Sequence, residues 1–471
     1  MLNTAEKLSF KEKIGYGLGD CASNLFFQTF ILFLLFFYTD VFGLPAAAVG
    51  TMFLVTRIWD AFFDPVIGML ADRTQTRWGK FRPFLLWFAL PFGIIGVLTF
   101  TTPGFDNSGK LIYAYITYSL MMMVYSAINV PYSALMGVIT SNSEQRTILS
   151  SYRFVAAFSG GFIVQASTMY LVSYFGKGNA QVGWQMAMGC IAGLGFILFM
   201  ITFLTTKERV APPKAQKANL KLDFKELFTN KPWLLIAGAT IFQLIYIVMR
   251  NSSVMYYFKY YVGGQQINFF GHVLNFSCDN FTATFLMSGT IATVVGSILT
   301  EWFTKIFDKK GTYLGFLILS ALLCASFYLL KPENAIWILV INILVSFVFG
   351  PVSVLQWAMY TDTADYAEWK NKRRATGLLM AASLFALKLG LSLGGAIVGW
   401  ILAYHGFIAN APQTKYSIDG IVLLMSIYPA IFGVIGGLIM IFYPLTNKMM
   451  VKIEKDLTER RKEETAPEVV K

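Results

Sequence analysis

Asp60 and Asp64 stand four residues apart within a largely apolar stretch. That spacing puts both carboxylates on one face of a helix. Two anions one turn apart repel each other unless a cation or a proton sits between them. If the stretch crosses a bilayer, each charge at the centre costs about 2.5–3.5 kcal/mol on insertion scales, so such groups are functional candidates by default. The pair reads as a coupling site that is stable only when loaded. Pro65 follows at once; it removes a backbone donor and frees a carbonyl one turn back, loosening the helix there. Arg57 offers a plainer alternative, since three residues before Asp60 it could simply neutralise that carboxylate as a structural ion pair.

Other charged or polar residues interrupt apolar segments. Asp20 shares a helix face with Asn24 and Phe27. A carboxylate, an amide and an aromatic ring on one stripe suit a polyhydroxylated ligand, which needs acceptors, donors and a stacking surface. The alternative is polar glue between helices. Tyr125 and Asn129 repeat the pattern ahead of Pro131, with the same alternative. Lys388 sits too centrally in its segment to snorkel, so it must meet a carboxylate, and Asp60 or Asp64 are the leading candidates. Arg153 lies nearer a helix start and either snorkels or serves the ligand. Arg250 is deeper in its helix and joins the substrate-binding candidates. Lys259 lies near a helix end and is expected to snorkel.

The elements that carry these residues follow from composition. The 471-residue chain is 56% hydrophobic and 14% charged, with a mean hydropathy of +0.57. A soluble domain rarely carries so little charge. Apolar runs of about 20 residues or more fit a hydrocarbon core roughly 30 Å thick; the short alternating segments of a membrane barrel are absent. The pattern predicts an all-α polytopic membrane protein with spans near 14–39, 47–71, 83–102, 110–139, 147–175, 184–206, 233–262, 280–304, 311–330, 335–361, 377–404 and 420–446. The first of these reads as a spanning helix and not a removed signal. The net charge of +12 falls mainly in alternate loops: Arg73 to Arg82, Arg146, Lys207 to Lys231, Lys305 to Lys310 and Lys370 to Arg374. The loops between them hold only Lys110, Lys177, Lys331 and Lys415. Both termini are therefore expected in the cytoplasm, and nucleic acid is not an expected partner. The polar stretch 207–232 divides residues 1–206 from 233–447, six helices on each side, and 448–471 reads as a solvated or frayed cytoplasmic tail. Two six-helix halves are the plan of a major-facilitator transporter. Cys21, Cys190, Cys278 and Cys324 contain no CxxC pair, so neither a disulfide nor a metal site is expected. No nucleophile–base set suggests an enzyme.

The run Arg57-Ile58-Trp59-Asp60-Ala61-Phe62-Phe63-Asp64-Pro65 resembles the second-helix signature of the glycoside–pentoside–hexuronide:cation symporters. So do Asp72-Arg73-Thr74 with Arg77-Trp78-Gly79-Lys80-Phe81-Arg82-Pro83, the segment Asp362-Thr363-Ala364-Asp365-Tyr366-Ala367-Glu368, the opening Tyr16-Gly17-Leu18-Gly19-Asp20, and Tyr38-Thr39-Asp40-Val41. The resemblance spans most of the chain. It implies cation-binding carboxylates at Asp60 and Asp64, a nearby lysine at Lys388, sugar contacts at Asp20 and Arg153 with Tyr125 beside them, and cytoplasmic gate charges at Asp72, Arg73, Arg146, Asp362 and Asp365. It also implies neighbouring sugar and cation sites served by alternating access.

Departures from the family member melibiose permease alter the expectation. The position of an Asn that helps hold sodium there is Phe63, and that of a Thr used for sodium is Leu384. Hard cations want several oxygens, whereas a proton needs only a carboxylate, so the coupling ion is expected to be a proton in preference to sodium, with no cofactor. Asn129 stands for an Asp that binds galactoside hydroxyls and Ser133 for a Trp, so galactoside specificity is not carried over. The expected function is cation-coupled uptake of a glycoside, whether hexuronide, glucuronide or xyloside, by a monomer in the cell inner membrane. A lysolipid or amphiphile carrier and a non-transporting membrane sensor are the alternatives. Two sequons, at Asn275 and Asn280, would matter only in the lysolipid reading.

Overall fold

The computed structural model describes residues 8–140, 143–209, 227–269, 272–371 and 376–465. Among these, twelve spans are long and apolar enough to cross a membrane. The first half comprises α1 (Phe10–Thr29), α2 (Ala46–Arg73), α3 (Arg82–Thr99), α4 (Asn107–Ile139), α5 (Ser143–Gly176) and α6 (Ala180–Thr205). The second comprises α7 (Lys231–Tyr257), α8 (Cys278–Ile298), α9 (Thr300–Ala325), α10 (Ala335–Asn371), α11 (Thr376–Tyr404) and a last span made of α12 (Lys415–Met425) and α13 (Ile427–Ile439). Side-chain caps start several helices. Ser9, Asp106, Asn179, Asn230, Ser277 and Thr414 each accept a bond from a first-turn amide, satisfying a donor the helix leaves orphaned.

The halves echo each other. In the first, α1 packs on α5 and α6; in the second, α7 packs on α11 and α13. Between halves, α2 meets α11 and α5 meets α8, so the second helix of each half lies against the fifth of the other. Both leading helices also relax into π turns at the end away from the termini: Phe30–Leu34 and Phe37–Val41 after α1, Phe258–Val262 after α7. Extra backbone slack of this kind is common at functional points in helices.

Close approaches require glycine at many points, among them Gly399 and Gly79. At the α2–α11 seam, a Cβ on Gly399 would fall 2.4 Å from the Ala46 carbonyl oxygen. Gly399→Val should therefore lower the melting temperature of the detergent-solubilised protein by the equivalent of about 1–3 kcal/mol of overpacking; an unchanged melting curve would show the seam to be pliant. In the turn before α3, Gly79 has φ 111° and faces the Glu208 carboxylate. Glu208 accepts from the backbone amides of Lys80, Phe81 and Arg82 at 2.8–2.9 Å, an anion seated on the first turn of a helix. This explains the Trp78-Gly79-Lys80 turn as a clasp between the α2–α3 loop and the end of α6.

The fold is all-α as expected, with an antiparallel hairpin of β1 (Gln265–Phe269) and β2 (His272–Phe276) after α7. Three expectations need correction. The eighth span stops at Ile298 rather than 304, because α9 begins as a separate short helix and turns at Asp308, whose φ of 57° interrupts the helix. Exposed Trp302, Ile306 and Phe307 suit that short piece to the bilayer interface. The last span breaks at Ser426. Finally, the tail is not a free helix. Within α14 (Asn447–Thr465), Met450, Ile453 and Leu457 are buried, and Trp369 of α10 donates to Asp456 at 2.8 Å.

Candidate functional site

Among the described residues, charge inside the bundle gathers at the α2–α11 seam. Lys388 Nζ donates to Asp60 Oδ2 at 2.9 Å and also to Asp64 Oδ2. One ammonium from the second half thus bridges both carboxylates of the first. Arg57 Nη1 stands 3.9 Å from Asp60 Oδ2, and Ser126 Oγ donates to Asp60 Oδ1 at 2.9 Å. The two carboxylates are not equivalent. Asp60 is almost wholly buried with three partners, whereas the Asp64 side chain is 29% exposed. Asp64 Oδ1 has no hydrogen-bond partner. The four charged groups balance, so the site is neutral as it stands. The bridge is what an unpaired carboxylate pair requires, with Lys388 standing where a cation would. Asp60 thus pairs with both Arg57 of its own helix and Lys388 of the other half.

Phe63 is half-buried and the Leu384 side chain is exposed. The oxygens gathered around the pair are therefore those of Asp60, Asp64 and Ser126. Beside the seam, Arg57 and Lys388 border a crevice of about 200 Å³ with Leu54, Ile58 and Phe385.

The second constellation joins α1 to α5. Arg153 Nε donates to Asp20 Oδ2 at 2.9 Å. Its guanidinium lies 5.1 Å from the Tyr132 ring centre and 5.8 Å from that of Tyr16, within cation–π range. Those rings stack at 4.9 Å, and each hydroxyl donates to the other residue's carbonyl. Asn24 and Asn129 each bond back to their own helix, on the carbonyls of Asp20 and Tyr125. Phe27 and Tyr125 approach at 6.4 Å.

A cavity of about 320 Å³ lies between the halves, walled by α1, α5, α7, α8 and α10. Of the substrate-binding candidates, Asn24 and Arg250 line it; Asp20, Arg153, Tyr125 and Asn129 do not. Gln28, Gln165, Asn251, Thr290 and Asn342 add polar groups that the motif reading missed. Thr290 Oγ1 donates to Gln165 Oε1 at 2.5 Å across the α5–α8 seam, the counterpart of the charged α2–α11 seam.

The halves are sealed at the side away from the termini. Asp40 lies in the π turn Phe37–Val41 that follows α1, with its side chain fully buried. Lys259 Nζ donates to it at 2.8 Å, and the Tyr260 hydroxyl also donates to Oδ1. Thr39 bonds Asp40 Oδ2 at 2.8 Å and the Tyr256 hydroxyl at 2.7 Å. Asn410 donates to the Asp40 carbonyl, and Ser252 donates to the Ile31 carbonyl at 3.0 Å. Lys259 therefore does not snorkel: its charge closes a seal between halves. On the terminus side, Arg209 pairs with Glu12 at 2.7 Å and Lys309 with Asp362 at 2.8 Å, each contact within its own half. Among the expected gate charges, Arg73 is exposed and Arg146 Nε donates to the Thr140 carbonyl at 2.9 Å. Asp365 is half-buried, and the Asp72 side chain lies outside the described residues.

This architecture has known counterparts. The solved structure of a D-xylose–proton symporter superposes with a TM-score of 0.63 at 15% identity, covering 93% of this chain and 98% of that one. The nucleoside transporter NupG matches with the same TM-score at 14% identity, over 92% of this chain and 100% of that one. Both show the fold. Nearer in sequence are the inner membrane symporter YicJ of Escherichia coli, 38% identical over 97% of each chain, and the isoprimeverose transporter of Lactiplantibacillus pentosus, 33% identical over 97% of this chain and 93% of that one. The glucuronide carrier protein homolog of Escherichia coli is 33% identical over 97% of each chain. Residues 15–447 match the model of the MFS/sugar transport protein family. A transporter and not an enzyme, the chain belongs to that family and, within it, to the cation symporters of the glycoside–pentoside–hexuronide type.

Proposed function

We propose that the chain brings a glycoside into the cell across the inner membrane by symport with a proton, with both termini in the cytoplasm. The observation that carries this reading is Lys388 bridging Asp60 and Asp64. The bridge spans the two halves, so loading a cation on the pair necessarily alters the contact between them. Seal and cavity fit the same cycle. In this orientation the outer side is closed by Asp40 and its partners. Lys388 holds the two carboxylates together across the halves. When the outward-facing carrier takes up a cation, one carboxylate is neutralised and the lysine is freed. Coupling requires that each ligand favour the other, by the same free energy in both directions.

A proton is favoured by the donor set. Two carboxylates and Ser126 offer few oxygens for an alkali-metal ion, and Phe63 and Leu384 supply none. A proton on Asp64, the more accessible carboxylate, needs no cage. A single copy holds both the cation site and the cavity, which suits a monomer. The test is uptake of a panel of glycosides in proteoliposomes, with and without sodium, at two pH values. Uptake should follow an inward proton gradient and ignore sodium; sodium-dependent uptake insensitive to pH would overturn proton coupling.

A further inference from the structure

Arg250 differs from four other cations described inside the membrane spans. Arg57 and Lys388 share Asp60 and Asp64, Arg153 has Asp20, and Lys259 has Asp40. Among the described residues no carboxylate pairs with Arg250, though it is only 4% exposed. Its Nη2 donates to Asn342 Oδ1. The Asn342 amide is itself oriented, because its Nδ2 donates to the Phe285 carbonyl at 2.6 Å and its other neighbour is Ser288 at 3.4 Å. The guanidinium sits 5.7 Å from the Phe285 ring centre and 6.0 Å from that of Phe327. Rings and a neutral amide orient this cation without neutralising it. Arg250 Nε is buried and has no hydrogen-bond partner, and the residue lines the cavity between the halves.

A charge so placed is costly unless something answers it. The remaining polar lining is neutral, with the amides of Asn24, Gln28 and Gln165 and the hydroxyl of Thr290 suited to sugar hydroxyls. We infer that the transported sugar carries a negatively charged group, a carboxylate being the fitting size, and that Arg250 is the residue that reads it. Charge-assisted bonds from a guanidinium to a carboxylate are about twice as strong as neutral ones, and Arg250 borders the cavity where such a carboxylate would sit. The net charge agrees: with the α2–α11 site and the Asp20–Arg153 pair balanced, Arg250 leaves the transport path positive. Loading a cation makes it more so, and an anionic sugar offsets that excess. Cation and anion then favour each other's binding through the field alone. This inference rests on the symport reading above and names its substrate class.

The test uses paired sugars that differ only at C6, methyl glucoside against methyl glucuronide and methyl galactoside against methyl galacturonide, in proteoliposomes under an inward proton gradient. The wild type should prefer the uronide in at least one pair. Arg250→Gln should lower the uronide's uptake rate and affinity by about tenfold or more and leave the neutral partner within about twofold, while Arg250→Lys should restore part of the loss. If the wild type accumulates a neutral glycoside and ignores its uronide, symport stands and this inference falls. Equal loss of both sugars in Arg250→Gln, with Arg250→Lys no better, makes Arg250 a strut between α7 and α10 and also overturns it. If no sugar of either kind is accumulated, the symport reading fails and the inference with it.

Discussion

Asp64→Asn should abolish concentrative uptake while leaving sugar exchange between the two sides. For a one-to-one symporter, one pH unit can drive roughly tenfold accumulation, because a unit is worth about 1.36 kcal/mol. The variant should show an accumulation ratio near one at any gradient. Folding should survive, because Asp60 still holds Lys388 at 2.9 Å and accepts from Ser126, and the lost carboxylate is the partly exposed one. Asp60→Asn should behave differently. It strips the buried acceptor from two cations at once, and breaking a buried ion pair from one side costs about 3–5 kcal/mol. That variant should lose thermal stability as well as uphill transport. Unchanged uphill accumulation in Asp64→Asn would refute its role as the loading carboxylate. Equal stability loss in both variants would refute the division between them.

That division was only half legible in the residues. A lysine in the middle of an apolar helix must find a carboxylate, so Lys388 pointed to the pair from its sequence environment alone. Which carboxylate is accessible depends on helix rotation and on α4, and neither is encoded in spacing along α2. Ser126 shows the limit well. Tyr125 and Asn129 were noticeable because they form a polar stripe, yet the adjacent serine is the one that reaches Asp60. A short hydroxyl in an apolar helix looks like packing glue until a partner from another helix is placed beside it. Arg153 and Asp20 were both singled out, but as separate ligand contacts; the structure pairs them with each other. The hairpin after α7 was missed because the short stretch of mixed polarity between Val262 and Cys278 reads equally well as a loop. The twelve spans, in contrast, follow from hydrophobic length, since every backbone group in lipid must be satisfied within the helix. What failed there was detail: Asp308 and Ser426 interrupt helices through backbone angles, not through any loss of hydropathy.

The seal at Asp40 was hidden for a related reason. Asp40 and Lys259 lie 219 positions apart, each near the end of a span where a charge can be explained by water. Together they hold one conformation. Asp40 accepts from Lys259, Tyr260 and Thr39 on its side chain and from Asn410 on its backbone; of these, Lys259, Tyr260 and Asn410 come from the other half. These contacts exist only while this end is closed, so their loss is charged to the sealed state and not to the state open on that side. Removing one partner of a buried ion pair costs about 3–5 kcal/mol, and each 1.4 kcal/mol is tenfold in population. Asp40→Ala should therefore move the resting carrier strongly toward opening at this end. The reporter is Leu32→Cys, which lines the cavity, in a background with Cys21, Cys190, Cys278 and Cys324 replaced by alanine. An impermeant thiol reagent applied to the side away from the termini should label it at least tenfold faster when Asp40 is alanine. Lys259→Ala should act in the same direction but less, since Tyr260 and Asn410 still hold Asp40. Transport should slow in both, because a carrier biased outward returns poorly. Labelling unchanged by Asp40→Ala would mean that aromatic packing around Tyr256 and Phe407, 5.3 Å apart at their ring centres, closes this end without the charge.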